Sequence, residues 1–525
     1  MLPLLYGPAA SGKTDLLMGR IRTAVAARTP GQVLLVPEQY SHEAERELCA
    51  VCGDGLSLYA EVLSFTGLAR EISSECGGAA SEYLDKGGRL LCMALAADGL
   101  YSRLRVYGAA RRKAELQTML LGAVDEFKSA CVTSEQLLDA AETCEGALGD
   151  KLHDLGLILE AYDGVVANGR ADPSDRLSVL AQQVGQCSMN ERTHVFVDGF
   201  TDFTAQERRV LEALLSKGVC LTVCLGCDEL HGGSEVFALS RITASALLKF
   251  AADNGVKAQT ERREGESTKA KPLGEFCENM FSYRAVEAGD AEDRIKIISA
   301  ADMNAECEFA AAEAVSLVRD TGCRWRDIAV CAKGFDDYRL PLESAFSRFG
   351  APIYTARKAD MLSKPLPMLI ESAYEIILGG WEADDVFDYL RTGFGGLDTG
   401  ECDELENYVF MWQLHGSAWT RAENWRLHPE GYGKQPDEAS EQTLEHINLL
   451  RETARRPLMR FAENAAAATT ATEKAKALAS LFEDLHLADK LQARAEELEK
   501  DGRAAAAQEY AQLWDITVGA LEQCA

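Results

Sequence analysis

The sequence predicts an α/β fold in which parallel sheets carry large all-helical insertions. Over the first 70 residues, short apolar segments alternate with helical ones, a pattern typical of βαβ units and a parallel sheet. Apolar strand-like segments return at 194–200 and 218–226, after a long stretch whose apolar residues recur at helical spacing. A helical insertion is therefore expected to interrupt the first sheet domain over about residues 75–185.

The elements of this first domain follow one another in a regular order. Strands are predicted at 2–7, 32–37, 58–65, 194–200 and 218–226. Helices are predicted from Asp15 to about Ala27, at 41–52 and at 204–217. The charged, polar stretch from Glu261 to Lys271 predicts a linker, and the first domain is expected to occupy residues 1–290.

A second α/β block is predicted over residues 291–366. Its strands are expected at 293–300, 327–334 and 351–356, and its helices at 304–322 and 338–350. Residues 367–525 have helical periodicity and become rich in alanine from about Ala462, which predicts a helical insertion of the second domain. Because the helical pattern continues to Gln523 without a capping signal, we expect the sequence to be cut within this insertion.

Composition and charge narrow the class of protein. With 47% hydrophobic and 26% charged residues, the chain is expected to be soluble and folded, and it has no apolar run long enough to span a membrane. The formal net charge of −29 argues against nucleic-acid binding through overall charge and leaves only a local basic groove. Sixteen scattered cysteines and no secretion signal predict a reducing, cytoplasmic compartment.

Three cysteines form the one sequence cluster with a metal-like spacing. Cys220, Cys224 and Cys227 are spaced like the cluster-binding motif of radical SAM enzymes. However, the first two lie within the apolar run VCLTVCLGC, which predicts a buried strand, whereas an iron–sulfur cluster needs its thiolates together in a loop. We therefore interpret these cysteines as core residues, with cluster binding as the alternative.

The segment after the first strand matches the phosphate-binding pattern G-x-x-x-x-G-K-[ST]. The expected ATP-binding residues are Gly7, Pro8, Ala9, Ala10, Ser11, Gly12, Lys13 and Thr14. The glycines let backbone N–H groups face an anion, Lys13 places a charge on the β- and γ-phosphates, and Thr14 offers its hydroxyl to Mg²⁺. Because a strand precedes the motif and a helix follows it, we predict a P-loop NTPase fold rather than a glycine-rich turn.

A second motif supplies the acid that a P-loop site needs. Asp198 ends the apolar segment VFVD and is expected to hold Mg²⁺ together with Thr14. Active helicases follow this acid with a glutamate that polarises the attacking water, but here the next residue is Gly199. Asp202 and Glu207 are expected to point elsewhere, with Asp202 and Thr204 capping the next helix. The site is therefore predicted to bind nucleotide and to hydrolyse it slowly, if at all.

These strings together resemble a known family, the B subunit of the AddAB helicase–nuclease. The similar segments are GPAASGKT, LLVPEQYSHEAE, EVLSFTGLAR, VFVDGFTDFTAQE, RWRDIAVCAKGFDDY and FGAPIYTARK. VDGFTDFTAQE is similar to the superfamily 1 helicase string VDEFQD, with Gly199 in place of the glutamate. The resemblance runs through all 525 residues but covers only the N-terminal half of that family's length.

The resemblance implies a helicase-like subunit with a degenerate motor, ATP and Mg²⁺ as cofactors, and a role in processing DNA double-strand breaks. It implies an AddA-like helicase–nuclease partner and a first motor domain at 1–290, with a second RecA-like domain beginning at 291–366. In the family, the nuclease domain with its iron–sulfur cluster lies C-terminal. No nuclease residue can be placed on this sequence, so we expect the cluster only in the missing half.

Candidate DNA contacts lie at the end of the third predicted strand, after the string VPEQ and in the densest basic run. They are Tyr40, Ser64, Phe65, Arg111 and Arg112. The alternatives are a core position for Phe65 and a solvated helix face for the basic run. The resemblance also suggests the pair Tyr283–Arg284 as a helicase phosphate sensor. Three tryptophans, Trp412, Trp419 and Trp425, are predicted to pack within the last insertion.

Three functions remain open from the sequence. The first is a DNA-repair helicase–nuclease subunit with a weak nucleotide site. The second is a RecC-like scaffold that channels a DNA strand and whose nucleotide site is vestigial. The third is a stand-alone P-loop phosphotransferase, which would need a lid with convergent arginines that the sequence does not offer. The intact Lys13, Thr14 and Asp198 favour the first.

Overall fold

A computed structural model describes residues 1–77, 82–263, 273–276, 295–355 and 361–525 of the chain. Two compact units are formed, Met1–Lys296 and Ile297–Ala525. The first contains a six-stranded, all-parallel sheet between helices, and the second is helical in its described residues. The predicted α/β class is confirmed.

The strands of the sheet are ordered β3-β2-β4-β5-β1-β6. Their bounds are β1 Leu2–Gly7, β2 Gln32–Leu35, β3 Ala60–Leu63, β4 His194–Val197, β5 Cys220–Gly226 and β6 Ala258–Arg262. All five predicted strands of this unit are confirmed, with somewhat shorter bounds for four of them. Every pairing is parallel, so the carboxyl ends of the strands share one edge.

The linker prediction is wrong at its first two residues, because Glu261 and Arg262 belong to β6. All five residues of β6 are exposed, and the strand pairs with β1 at one margin of the sheet. An exposed edge strand carries charged side chains and lacks the apolar run of a central strand. Its sequence therefore has the composition of a linker.

Helices cover both faces of the sheet. They are α1 Lys13–Ala26, α2 Ser41–Cys52, α3 Phe65–Cys76, α8 Arg176–Gln183, α9 Ala205–Ser216 and α10 Ala238–Asp253. On one face, Leu5, Leu34 and Phe196 pack with α1 and α2, and on the other Leu4 and Val197 pack with α3, α9 and α10. Because both faces are buried, these strands read as continuous apolar runs.

The segment predicted as a helical insertion contains four long helices with a core of their own. They are α4 Lys86–Gly99, α5 Ala114–Ser129, α6 Ser134–Thr143 and α7 Ala147–Val166. Met93, Leu121 and Tyr162 lie at the centre of this core. The amphipathic pattern that predicted helices here is thus buried between helices.

The second unit contains the remaining helices. They are α11 Met303–Thr321, α12 Phe335–Arg348, α13 Pro365–Gly379, α14 Ala383–Arg391, α15 Thr399–Trp412, α16 Ser417–Thr420, α17 Glu438–Ala467, α18 Ala471–Asp484, α19 Leu487–Lys500 and α20 Ala504–Cys524. The packing role predicted for the tryptophans is confirmed: Trp419 and Trp425 are buried edge to face, and Trp412 packs against the same core. None of the helices in the described ranges is long and apolar enough to cross a bilayer.

The strands predicted at 293–300, 327–334 and 351–356 are not formed where the structure describes these residues. Residues 293, 294 and 356 lie outside the described ranges. Ile297 is 94% exposed and Tyr354 is 89% exposed, although the sequence predicts both within strands. A strand needs a neighbour for its backbone hydrogen bonds, and every strand in the described residues belongs to the sheet of the first unit. A second RecA-like domain therefore stays a prediction.

Candidate nucleotide-binding site

The predicted phosphate loop connects β1 to α1 at the carboxyl edge of the sheet. Ala10 and Gly12 have left-handed φ values of 58° and 74°, which turn the chain into the first turn of α1. At Gly7, a Cβ atom would lie 2.6 Å from the carbonyl oxygen of Arg263 and 2.9 Å from Ser11 Oγ. Only glycine fits between these atoms, so close packing fixes the start of the loop.

Lys13 lies within the curl of this loop. Its Nζ donates to the carbonyl oxygens of Gly7 and Pro8, at 2.9 and 2.6 Å, and to Ser11 Oγ at 3.4 Å. Burial lowers the pKa of Lys13, while Cys224 and Asp198 oppose that shift. The ammonium group is therefore already held at the loop, where its charge faces the same backbone that would cradle an anion.

The two predicted motifs meet at a single hydrogen bond. Thr14 Oγ1 donates to Asp198 Oδ2 at 2.8 Å across 184 residues of sequence. Asp198 directly follows β4, and its backbone N–H donates to the carbonyl of Leu35 at the end of β2. Burial raises the pKa of Asp198, and the Thr14 hydroxyl, the Gly199 N–H and Lys13 oppose that shift. Hydroxyl and carboxylate oxygens are ligands that Mg²⁺ prefers, so the donor set fits that ion.

Gly199 has a conformation that a glutamate would not readily adopt. Its φ is +83°, and a Cβ atom there would lie 3.1 Å from Pro37 Cδ. L-residues avoid this left-handed region, and the proline ring restricts the space further. A side chain at position 199 would therefore meet both backbone strain and the Pro37 ring.

Glu207, the other acid near this motif, points elsewhere as predicted. Its carboxylate accepts the backbone N–H of Thr204 at 2.8 Å, while the Glu207 N–H donates to Thr204 Oγ1 at 3.2 Å. This is a capping box at the start of α9. The cap predicted at Thr204 is confirmed, whereas the capping role predicted for Asp202 is wrong, because Asp202 lies two residues before the N-cap.

Arg263 lies beside the loop and was missed by sequence reasoning. Its backbone N–H donates to the carbonyl of Tyr6 at 2.7 Å, which extends the pairing beyond β6. Within the described part of the chain, its Nε is a buried donor without an acceptor. The basic pair Arg262–Arg263 was visible in the sequence, but the charged residues around it favoured a linker. No sequence pattern indicated that Arg263 lies beside Gly7.

The candidate DNA contacts near the sheet edge have structural partners. Tyr40 donates its hydroxyl to Glu47 Oε2 at 2.9 Å, and burial together with Glu47 raises the pKa of Tyr40 to about 12. Ser64 is the N-cap of α3 and accepts the N–H of Gly67. Phe65 is buried, with ring centroids 5.6 Å from Phe200 and 6.3 Å from Phe203. These surroundings correspond to the core alternative for Phe65, and a DNA contact by these residues stays a prediction.

The basic pair Arg111 and Arg112 lies in the segment before α5, so the alternative of a solvated helix face is wrong. Both guanidinium groups pair with Asp98, at 2.9 and 3.3 Å. The suggested phosphate sensor Tyr283–Arg284 lies outside the described residues. The structure thus brings the loop residues and Asp198 together and leaves the basic pair on the helical insertion.

The strand interpretation of the cysteine cluster is confirmed. Cys220 and Cys224 lie in β5, with Cys224 buried, and Cys227 follows the strand with its Sγ donating to the carbonyl of Glu229 at 2.9 Å. Burial raises the pKa of each of the three thiols. In the residues that the structure covers, no group of three or more His, Cys, Asp or Glu side chains is arranged to hold a metal ion.

Comparison with known proteins identifies the family of the chain. The family model described as "ADDB, N-terminal" matches residues 4–274, which is more than half of the chain. The chain belongs to the AddB family. This span includes β2 to β6, all of β1 but its first two residues, the phosphate loop and Asp198.

Curated relatives of this AddB-family chain are similar over nearly all of it. A protein of Desulforudis audaxviator is 33% identical over 99% of the chain and 47% of its own length. One of Acetivibrio thermocellus is 30% identical over 98% of the chain and 46% of its own length. Both are named as the B subunit of an ATP-dependent helicase/deoxyribonuclease. The chain spans about half the length of these relatives.

Proposed function

We propose that this chain is the nucleotide-binding, helicase-like part of a DNA double-strand-break repair subunit. The observation that carries the proposal is the hydrogen bond between Thr14 and Asp198, with Lys13 in the adjoining loop. Two motifs that are far apart in sequence meet at the carboxyl edge of one parallel sheet, where α/β folds bind ligands. This arrangement supports a superfamily 1-like P-loop NTPase fold.

In the proposed complex, the phosphates of ATP lie against the loop of residues 7–12. The backbone N–H groups and the N-terminus of α1 face the anion, and Lys13 adds a point charge. Thr14 and Asp198 would hold Mg²⁺, which would supply positive charge against the phosphates. Arg263, whose backbone packs against Gly7, supplies a further cation, and its Nε has no acceptor among the described residues.

Hydrolysis is proposed to be slow. A general base contributes roughly 10²–10⁴-fold to such reactions, and residue 199 offers no side chain. Glu207 is engaged in the capping box of α9 and does not substitute for it. Binding without rapid turnover fits a degenerate motor, in which nucleotide stabilises a conformation rather than driving translocation.

The full-length protein is proposed to act with an AddA-like helicase–nuclease partner on DNA ends in the cytoplasm. The names of the relatives, which describe the B subunit of an ATP-dependent helicase/deoxyribonuclease, support this assignment. A nuclease domain and its iron–sulfur cluster are proposed for the part of the relatives that this sequence does not span. For the chain itself we propose neither nuclease activity nor iron.

Titration of the chain with ATP in the presence of Mg²⁺ tests the proposal. Lys13→Ala should weaken binding at least about 10-fold, because charge-assisted hydrogen bonds to phosphate are lost. Lys151→Ala, an exposed lysine on α7, is the matched control and should bind as the wild type does. Circular dichroism checks that both variants fold. Wild-type protein without measurable ATP affinity would instead favour the RecC-like scaffold, and rapid phosphoryl transfer to a small acceptor would favour the phosphotransferase.

A further inference from the structure

The segment Tyr101–Lys113, which connects α4 to α5, concentrates positive charge. It contains Arg103, Arg105, Arg111, Arg112 and Lys113 within thirteen residues and no acidic residue. The chain as a whole has 83 acidic against 54 basic residues, so this segment runs against the overall composition. A local basic surface on an acidic protein is what a polyanion contact requires.

A buried carboxylate fixes the backbone of this basic segment. Asp154 on α7 has no exposed surface, and it accepts the backbone N–H groups of Arg105, Val106 and Tyr107 at 2.9, 2.7 and 3.1 Å. Burial alone would raise the pKa of Asp154, but these three backbone donors, together with the ring of His153, outweigh it and lower the pKa. The carboxylate therefore stays charged at neutral pH and holds three consecutive residues in place.

Ring and carboxylate contacts also hold side chains of this segment in place. The Arg111 guanidinium lies 3.9 Å from the centroid of the Tyr101 ring, a cation–π contact. Arg111 and Arg112 share Asp98, and Arg105 pairs with Asp150 at 2.9 Å. A guanidinium group has five N–H donors, so a single carboxylate partner orients it and leaves donors for a second anion.

Much of this surface is open to solvent. The Arg112 side chain is 76% exposed and that of Arg105 is 54% exposed, while Arg103 and Lys113 are also exposed. Tyr101 is exposed as well and adds an aromatic side chain beside the cations. Basic groups interleaved with an exposed aromatic residue are the combination that nucleic-acid strands bind through phosphates and stacking.

We propose that Tyr101–Lys113 is a docking surface for the sugar–phosphate backbone of a DNA strand, an inference that rests on the proposed function in DNA processing. The contact reads phosphates and not bases, because the segment presents guanidinium and ammonium groups. Arg111 and Arg112, which sequence reasoning suggested, are two members of a larger surface. Asp154 is its positioning residue, since it acts through the backbone that it holds.

The decisive experiment measures DNA affinity as a function of salt for a charge-neutralised variant. The variant Arg103→Gln/Arg105→Gln/Lys113→Gln removes three cations, and Lys474→Gln/Lys476→Gln/Lys500→Gln removes three exposed lysines of the other unit as the matched control. Each lost phosphate contact to a single strand should reduce the magnitude of the slope of log K against log salt by about 0.7. The slope of the variant should therefore be smaller than that of the wild type by about 2. At low salt we expect an affinity loss of at least about 10-fold for the variant and less than about 2-fold for the control.

Single-stranded and duplex oligonucleotides are titrated separately, because both carry the same phosphate backbone. Whichever of the two loses affinity in the variant is the strand form that the surface binds. Equal affinities and equal salt slopes for the variant and the control, with both forms of DNA, would overturn the proposal.

A second variant tests the positioning role of Asp154. Asp154→Asn keeps every cation but replaces one acceptor oxygen with a donor, so it should loosen residues 105–107 without changing the number of phosphate contacts. We expect faster hydrogen exchange of those three amides, an affinity loss of about 3-fold and an unchanged salt slope. Unchanged affinity despite faster exchange would remove Asp154 from the proposal.

ATP binding, measured on the same preparations, separates this inference from the proposed function. Variants of the basic surface should bind ATP as the wild type does, because none of the substituted residues belongs to the phosphate loop. If they retain ATP affinity and DNA affinity alike, only the docking surface is wrong. If the wild type itself fails to bind ATP, the proposed function fails whatever the DNA result.

Discussion

The two parts of the chain that the sequence assigns to α/β blocks behave differently. In residues 1–263, the apolar segments pair into one parallel sheet whose strand Gln32–Leu35 is buried at every position. In residues 295–355, segments with a similar pattern form no strand, while helices α11 and α12 form as predicted. A helix makes its backbone hydrogen bonds within itself, whereas a strand needs a neighbouring strand for them. An apolar pattern therefore predicts a helix more reliably than a strand.

The unpaired region leaves apolar surface uncovered. Helices α11 and α12 bury a small core around Ala311 and Phe346, and a groove of about 540 Å³ is lined by α11 and residues 328–333. Phe309 and Val330, which line this groove, are 39% exposed. In the sheet unit, by contrast, the equivalent apolar residues are covered on both faces. The comparison therefore predicts that side chains of the two regions contribute very differently to stability.

The largest effect is expected in the core of the paired sheet. Phe196→Ala removes a ring that is 1% exposed and should lower the free energy of unfolding of its unit by about 3–5 kcal/mol. Ile297→Ala is the counterpart in the unpaired region and should change stability by less than about 0.5 kcal/mol. Urea denaturation, with hydrogen exchange to follow each unit, measures both. A loss above about 1 kcal/mol for Ile297→Ala would contradict the comparison, because it would mean that this segment is packed in solution.

The next effect is a pH dependence of the sheet unit. His194 begins β4, its Nε2 lies 2.7 Å from Thr222 Oγ1, and its ring stacks on Phe196. Burial, with Arg20 and the N-terminus, lowers the pKa of His194 to about 4. In the unfolded chain the imidazole titrates near pH 6.5, so between about pH 6.5 and pH 4 the unfolded state binds the extra proton.

The sheet unit should therefore lose stability, on the order of 2 kcal/mol, as pH falls through this window. His194→Gln should flatten the dependence, because glutamine does not titrate. Urea midpoints at pH 7, 5.5 and 4.5 provide the measurement. Identical pH profiles for the wild type and His194→Gln would contradict the assignment to this histidine.

A smaller effect is expected at Gly199. Gly199→Ala should cost about 1–2 kcal/mol, because an L-residue is forced into the left-handed region beside Pro37. Gly226→Ala in β5, where a Cβ atom meets nothing within 4 Å, is the matched control and should change stability by less than about 0.5 kcal/mol. Thermal and urea unfolding of both variants measure the difference. Equal stabilities would remove the steric argument.

Gly199→Glu carries the same strain and places a carboxylate at the helicase position. It should not restore rapid ATP hydrolysis, because the left-handed φ and the Pro37 ring disfavour an ordered side chain at this position. A steady-state phosphate-release assay checks this expectation. Fast turnover in Gly199→Glu would mean that the missing carboxylate alone explains slow hydrolysis.

The sequence predicted the buried centre of the sheet and one of its two margins. Strands β1, β2, β4 and β5 were predicted because burial makes them largely apolar runs, and the margin strand β3 was predicted although only Ala60 in it is fully buried. Strand β6 was missed because all of its residues are exposed, and Arg263 was missed with it. The meeting of Thr14 with Asp198 could be predicted from motif order, since parallel strands place their carboxyl ends together.

Other features depended on contacts that no local pattern encodes. The sequence identified Gly199 as a lost carboxylate, but its left-handed φ and its contact with Pro37 required the fold. The Arg111–Lys113 run was visible as charge, whereas Asp154 fixes the preceding residues 105–107 from more than forty positions away. The sequence allowed two roles for Phe65, a DNA contact and a core position, and its ring contact with Phe200 favours the core.

The central claim is that the loop and Asp198 form a site that binds ATP but turns it over slowly. The most direct test is the rate of phosphate release at saturating ATP·Mg²⁺, with and without single-stranded DNA, for the wild type and Lys13→Ala. We predict saturable ATP binding that Lys13→Ala weakens, with turnover about 10²-fold or more below that of an active motor and little stimulation by DNA. Rapid, DNA-stimulated hydrolysis that disappears in Lys13→Ala would contradict the account.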